Sequence, residues 1–230
     1  MQHIKRILAA AALTLTLLAA SGCAEQEAKL PDEAKERITA VREECKTLDS
    51  GSYIVNDAIT GSEEMRFDFC YSEGGALSYV FLNSDGSAEY HTGRQLNIRS
   101  ADGEITRITP QDNGWHGYTK DSPHPYAEGG FFSFFDNGIE STAVEQTDNG
   151  VRYRCMYNAA RMSKETGTQG LTAFSLEYFF DNDGSVELIQ RSTVETDGVA
   201  EDYAYSIRLT DKNAVTPQRL SELFADGQTE

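Results

Sequence analysis

Asp85-Gly86, Asp102-Gly103, Asn149-Gly150, Asp183-Gly184 and Asp197-Gly198 punctuate the chain, and apolar residues alternate with polar ones between them. Phe67, Phe69 and Tyr71 alternate with Arg66, Asp68 and Cys70. Leu77, Tyr79 and Phe81 share one face of the next run. Val151, Tyr153, Cys155 and Tyr157 form another face, as do Phe174, Leu176, Tyr178 and Phe180, and then Tyr203, Tyr205, Ile207 and Leu209. Strict alternation sets one row of side chains against a core and the other in water, the pattern of half-buried antiparallel strands. Asp-Gly and Asn-Gly supply the positive φ angles that tight hairpins require. The pattern predicts about ten or eleven strands, mostly joined as a meander.

Two regions break the period. From about Asp32 to Leu48, the apolar residues Ile38, Val41, Cys45 and Leu48 recur at helical spacing, with charges on the opposite side. Pro31 and Asp32 mark its start and Asp49-Ser50-Gly51 its end. In residues 110–139, Pro110, Pro123 and Pro125 argue against a continuous strand. There, Tyr126 to Phe135 reads as a short helix carrying Phe131, Phe132, Phe134 and Phe135, weakened by Gly129 and Gly130. The end, Pro217 to Phe224, reads as a short helix or a frayed tail. LSYVFLNSDGSAE (77–89) resembles LEYFFDNDGSVE (176–187), either a duplicated half-sheet or two ordinary hairpins with favoured turn residues.

The N-terminus sets an address. Lys5 and Arg6 precede an uncharged run from Ile7 to Ala20, too short to span a bilayer comfortably. Ala20, Ser21 and Gly22 then lead into Cys23. A basic start, a short apolar run and small residues make a secretory signal. With the cysteine it looks like a bacterial lipobox, in which Cys23 takes a diacylglyceryl group and begins the mature chain. Ala20 stands where the lipobox pattern prefers Leu. Residues 1–22 are thus read as signal peptide, 23–31 as lipidated tether, 32–217 as one β-rich domain, and 218–230 as a C-terminal tail or short helix. The expected place is the extracytoplasmic face of a cell membrane. Ala24, rather than Asp, after the cysteine permits the outer membrane in a Gram-negative host.

The net charge is −17, and without the signal, which holds two basic residues and no acidic ones, it becomes −19. Such a surface repels nucleic acid and anionic headgroups. Beyond Cys23 the cysteines are Cys45, Cys70 and Cys155, an odd number with no metal-binding spacing. A Cys70–Cys155 disulfide suits an exported protein, and small buried hydrophobes are the other reading.

The motifs assign no chemistry. GxSxG, HExxH, Walker and GxGxxG patterns are absent from the sequence. His91, His116 and His124 lack a metal spacing. Asp181 to Glu187 invites a calcium-loop reading, but the first ligand position falls on Phe179, so a hairpin turn is expected. Glu43-Glu44 and Glu63-Glu64 are ordinary in an acidic chain. The reading is of a binding protein, with no catalytic residue, metal or cofactor.

Nine aromatic side chains occupy inward candidates: Phe67, Phe69, Tyr79, Phe81, Tyr153, Tyr178, Phe180, Tyr203 and Tyr205. Curling the sheet would bury them and leave either an apolar cavity lined by these rings or a filled core. The fold class expected is mainly β with α (α+β). It is a curled antiparallel sheet or unclosed half-barrel, with an N-terminal amphipathic helix and a short irregular helical lid.

A lipid anchor, one amphipathic helix, a long meander and an irregular middle together resemble the lipoprotein-carrier superfamily of LolA, LolB, LppX and RseB. The ending IRLTDKNAVTP (207–217) is similar in style to that family's final strand. The resemblance implies an unclosed barrel with helices as a lid, and a lipid or other hydrophobic ligand held without covalent catalysis. It also implies an alternative, an envelope sensor or interaction module that binds a membrane-protein partner. The resemblance is architectural and transfers no binding residue.

Overall fold

The computed structural model describes residues 28–109 and 117–226. The signal peptide, Cys23, Trp115 and His116 lie outside the described residues. The alternating runs form eleven strands. They are β1 (Ser50–Asp57), β2 (Glu63–Tyr71), β3 (Leu77–Asn83), β4 (Ala88–His91), β5 (Leu96–Arg99), β6 (Ile105–Ile108), β7 (Ile139–Thr147), β8 (Gly150–Tyr157), β9 (Leu171–Asp181), β10 (Val186–Thr196) and β11 (Val199–Thr210). One sheet holds them in the order β6-β5-β4-β3-β2-β1-β11-β10-β9-β8-β7, every pair antiparallel. Two meanders therefore meet at β1 and β11. Among the described residues β6 does not pair with β7, so the sheet is not closed into a barrel.

Register places the aromatic rows on one face, here called inner. Tyr53 stands opposite both Phe67 and Leu209, Phe69 opposite Tyr79, and Tyr153 opposite Tyr178. A slip of one residue in any of these pairs would turn a whole row to the other side, so burial of one face sets the register. Of the predicted turns only Asp197-Gly198 takes positive φ at both residues, 54° and 78°; at Gly86, Gly103 and Gly184 the glycine alone does, at 84°, 88° and 87°, in turns wider than a two-residue hairpin.

Helix α1 (Asp32–Thr47) covers part of the inner face. Acidic Asp32 and Glu33 occupy its first turn and Lys46 its last, matching the helix dipole. Ala34, Ile38 and Cys45 form its buried stripe, and the Tyr53 hydroxyl donates to Cys45 Sγ at 3.2 Å. Helix α2 (Ala159–Thr166), which the alternation reading passed over, links β8 to β9. The Asn158 side chain caps it by accepting from the Arg161 N–H at 3.0 Å, Gly167 ends it at φ 73°, and Met162 buries its apolar side.

Helix α3 (Pro217–Asp226) packs on the other, outer face. Leu220 and Phe224 join Val215, Cys70, Val80 and Ala88 in a second, smaller core. Arg219 reaches across this layer to the buried Asp68 at 3.0 Å and to Asp211 at 2.8 Å. Burial pushes the Asp68 carboxyl up, while the Ser52 hydroxyl and the Arg219 guanidinium act against that rise.

The helix expected over Tyr126–Phe135 is corrected: only a 3-10 turn, Gly130–Phe132, forms there. Close packing is the reason. A Cβ at Gly129 would sit 3.0 Å from Cys45 Sγ, and one at Gly130 would sit 2.6 Å from the Pro125 carbonyl oxygen. Gly129 also takes φ 77°, which a β-carbon disfavours. All three described cysteines are free and buried. Cys155 belongs to the inner core and Cys70 to the outer one, so the sheet separates the pair considered for a disulfide.

Candidate functional site

The inner face is an aromatic floor with an aromatic lid. Tyr53, Phe67, Phe69, Tyr153 and Tyr178 are almost wholly buried. The Pro- and Gly-rich segment after residue 117 folds back over the β1–β3 side of this floor. It is pinned first to the β2–β3 loop, where the Leu77 N–H donates to the Tyr118 carbonyl at 2.9 Å and the Lys120 N–H to the Gly75 carbonyl at 3.0 Å. Lys120 also pairs with Asp49.

Beyond this hinge the lid meets the floor through rings. His124 stacks on Phe67 at 4.9 Å, and Phe131 lies 4.9 Å from Tyr53. Tyr126 stacks on Phe131 at 4.0 Å and on Phe81 at 6.1 Å. Phe135 sets its edge against Tyr157 and Phe174. Polar ties at the far end are the Tyr178 hydroxyl donating to the Ser133 carbonyl at 2.7 Å and the Lys35–Asp136 pair at 2.7 Å.

The structure divides the nine aromatic candidates among three places. Phe67, Phe69, Tyr79 and Phe81 lie on the β2–β3 side, where His124, Tyr126 and Tyr118 cover them, with Phe81 only half-buried. Tyr153, Tyr178 and Phe180 lie on the α1 side, where the Arg37 guanidinium sits 5.6 Å over Phe180. Tyr205 is half-buried against the core, and Tyr203 is 38% exposed with its hydroxyl donating to Glu201 at 2.6 Å. The rings therefore form a packed floor with two coverings rather than converging on one point.

Alternation could not find the lid residues. His124 and Tyr126 follow no period, and the only signal for them was aromatic density among prolines and glycines. His91 also belongs here, stacked at 5.1 Å and 8° on Tyr79, with its Nδ1 2.9 Å from the Leu77 carbonyl oxygen.

Burial shapes the electrostatics. It pushes the His124 imidazole down to about 4, helped by the nearby His91. It also lowers His91, against the hydrogen bond to Leu77, and raises the Tyr79 and Tyr178 hydroxyls. Near neutral pH the lid contact is thus an uncharged ring cluster, suited to dispersion and stacking contacts. Among the described residues no group of three or more His, Cys, Asp or Glu side chains is placed to hold a metal ion, and no described helix is long and apolar enough to cross a membrane.

No protein-family model matches the sequence, and no curated protein matches it. Among solved structures, the crystal structure of LprF from Mycobacterium bovis aligns with a TM-score of 0.40 at 11% identity, covering 82% of this chain and 97% of that one.

Proposed function

We propose that this chain is a bacterial envelope lipoprotein, anchored through Cys23 on the extracytoplasmic face, whose inner aromatic floor receives an apolar ligand when the lid lifts. The observation that carries this reading is the chemistry of the lid contact. His124, Tyr126 and Phe131 rest on Phe67, Phe81 and Tyr53 through ring faces and edges. An acyl chain can replace these ring contacts by non-directional apolar burial, and the buried Tyr178 hydroxyl, which donates to the Ser133 carbonyl, is a polar tie in this contact that such opening must break. The hinge bonds at Tyr118 and Lys120 stay in place while the segment beyond them moves.

The test is native mass spectrometry of residues 24–230, which contain every described element, straight after mild purification, followed by solvent extraction. The expected result is co-purified lipid near unit stoichiometry and uptake of a fluorescent fatty acid. A clean unliganded mass with no uptake overturns the reading.

A second reading, an envelope module that binds a protein partner, is favoured by a different observation. The floor is filled by the chain's own rings, whereas Ile59, Met156 and Val199 expose apolar surface elsewhere. Absence of lipid in the same experiment moves the conclusion to this alternative.

A further inference from the structure

A depression of about 320 Å³ lies on the outer face of the sheet, across β8 to β11. That is at the lower end of the range of about 300–1,000 Å³ for small-ligand sites. Register builds its floor. Met156 stands opposite Ser175, Ser175 opposite Arg191, and Arg191 opposite Ala204. The next row is Ala173, Thr193 and Asp202. Ile59, in the β1–β2 turn, joins one side. The Ala58 N–H donates to the Ala204 carbonyl at 2.7 Å, and the Ile59 N–H to Asp57 Oδ1 at 2.6 Å, so this turn is held against β11. Ile59 and Met156 are 65% and 40% exposed, which leaves apolar surface open beside the floor.

Arg191 differs from the other arginines of β2 and of β8 to β11 on this face, while Arg99 and Arg107 at the far edge are held by carbonyl and amide oxygens. Arg152 and Arg154 pair with Glu177, Arg208 with Glu187, and Arg66 with Glu63. Among the described residues Arg191 makes no ion pair. The two carboxylates diagonal to it in the register are engaged elsewhere. Glu177 is taken by Arg152 and Arg154, and Asp202 accepts from the Thr193 hydroxyl at 2.7 Å. In a chain with 37 acidic and 20 basic residues, an arginine without a carboxylate beside open apolar side chains marks a place for an anion supplied from outside.

We propose that the Arg191 depression binds an amphiphilic anion, a single alkyl chain with a carboxylate or phosphate head. The guanidinium fork matches either head with two parallel hydrogen bonds. Ile59, Met156, Ala173 and Ala204 take the first methylenes of the chain, and the flexible methionine adapts to its shape. Electrostatics favours the head, since the net acidic surface repels an anion and Arg191 puts a positive charge with no ion-pair partner among the described residues inside this depression. The outward residues of β8 to β11 put the site on the side of the sheet opposite the aromatic floor, with Phe174, Ser192 and Tyr203 of the inward rows also bordering it.

Methionine methyl NMR separates the two faces. Residues 24–230 contain three methionines: Met156 in the depression, and Met65 and Met162 packed with the inner core. Decanoate and decyl phosphate are titrated into protein labelled at the methionine methyls, with decanol as the uncharged control. The expected result is a saturable shift of Met156 with at least one anion, about tenfold weaker with decanol and in Arg191→Gln, and restored in part in Arg191→Lys. Whichever anion binds more tightly identifies the head. An unmoved Met156, or equal shifts with decanol or in Arg191→Gln, overturns the proposal. Shifts confined to Met65 and Met162 also overturn it, and they leave the lid reading standing. Unchanged Met65 and Met162 resonances in the free variants verify that they fold.

Discussion

The hairpins β3–β4 and β9–β10 share much of their sequence but acquire different coverings. On the inner side they match: Tyr79 and Tyr178 are buried at one level, and Phe81 and Phe180 point inward at the next. On the outer side Val80 corresponds to Phe179, and Ser78 to Glu177. Val80, with Cys70 and Ala88, makes an apolar patch that α3 covers. Glu177 instead draws Arg152 and Arg154 over its row, and the Arg152 guanidinium lies 5.4 Å over Phe179. One half of the outer face is therefore closed by a helix, the other by a layer of ion pairs that runs out at the Arg191 depression. A few outward residues, which contribute least to the strand pattern, decide whether a sheet face becomes a core or stays a surface.

The largest effect should come from emptying the helix-covered half. Leu220→Ala removes a fully buried side chain of α3 and should cost about 2–5 kcal/mol, measured by urea unfolding. Faster hydrogen exchange is expected in β2–β4 and not in β8–β9. A loss of stability spread evenly over both halves would break the comparison.

Next is the polar anchor of that helix. Arg219→Gln leaves the buried Asp68 without its guanidinium, at about 2 kcal/mol near pH 7, discounted from the cost of breaking a fully buried pair because Arg219 is partly exposed. Asp68 is raised in the folded state, so its ionisation works against folding, and protonating it on acidification relieves the penalty. The deficit of Arg219→Gln should therefore shrink as the pH falls toward the carboxylate range. A deficit independent of pH would remove Asp68 from the explanation.

The ion-pair half should yield less. Glu177→Gln takes the shared carboxylate from Arg152 and Arg154, both partly exposed to water, and about 1 kcal/mol is expected. A cost matching that of Leu220→Ala would mean that the charged layer supports the sheet as firmly as a helix does.

The smallest effect separates the halves by pH on the inner side, where only the β1–β3 half carries His124. Its folded value of about 4 lies below the ordinary histidine value. The unfolded chain therefore binds the extra proton first, and stability falls as the pH drops from about 6.5 toward 4. His124→Phe should flatten that decline in Tm, and hydrogen exchange should show the lid region loosening before the α1 side. An unchanged slope would place the acid sensitivity elsewhere.

Much of the β framework was legible because it is local. Period two, the Asp-Gly turns and the helical stripe of Ile38 and Cys45 each report on a few neighbouring residues, and strands pair sequentially within each meander. The lid was not legible as a structure. Its lack of a helix follows from where Cys45 and the Pro125 carbonyl lie, which are contacts beyond the reach of helix propensity. Helix α2 was hidden because its eight residues bury only Met162, too short a run to establish a period, although Asn158 and Gly167 are its ordinary end signals.

The sequence by itself determined which residues form strands, where the chain turns, that one face is aromatic, and the acidic balance of charge. Backbone preference and side-chain alternation are properties of short segments. Only the tertiary structure decided that α3 lies on the outer face rather than trailing as a tail. It also decided that the lid fills the floor with rings, that Cys70 and Cys155 lie on opposite sides of the sheet, and that Arg191 has no carboxylate while its neighbours have theirs. These outcomes depend on which surfaces remain after the strands have paired. That is set by cross-strand register between residues far apart in the chain.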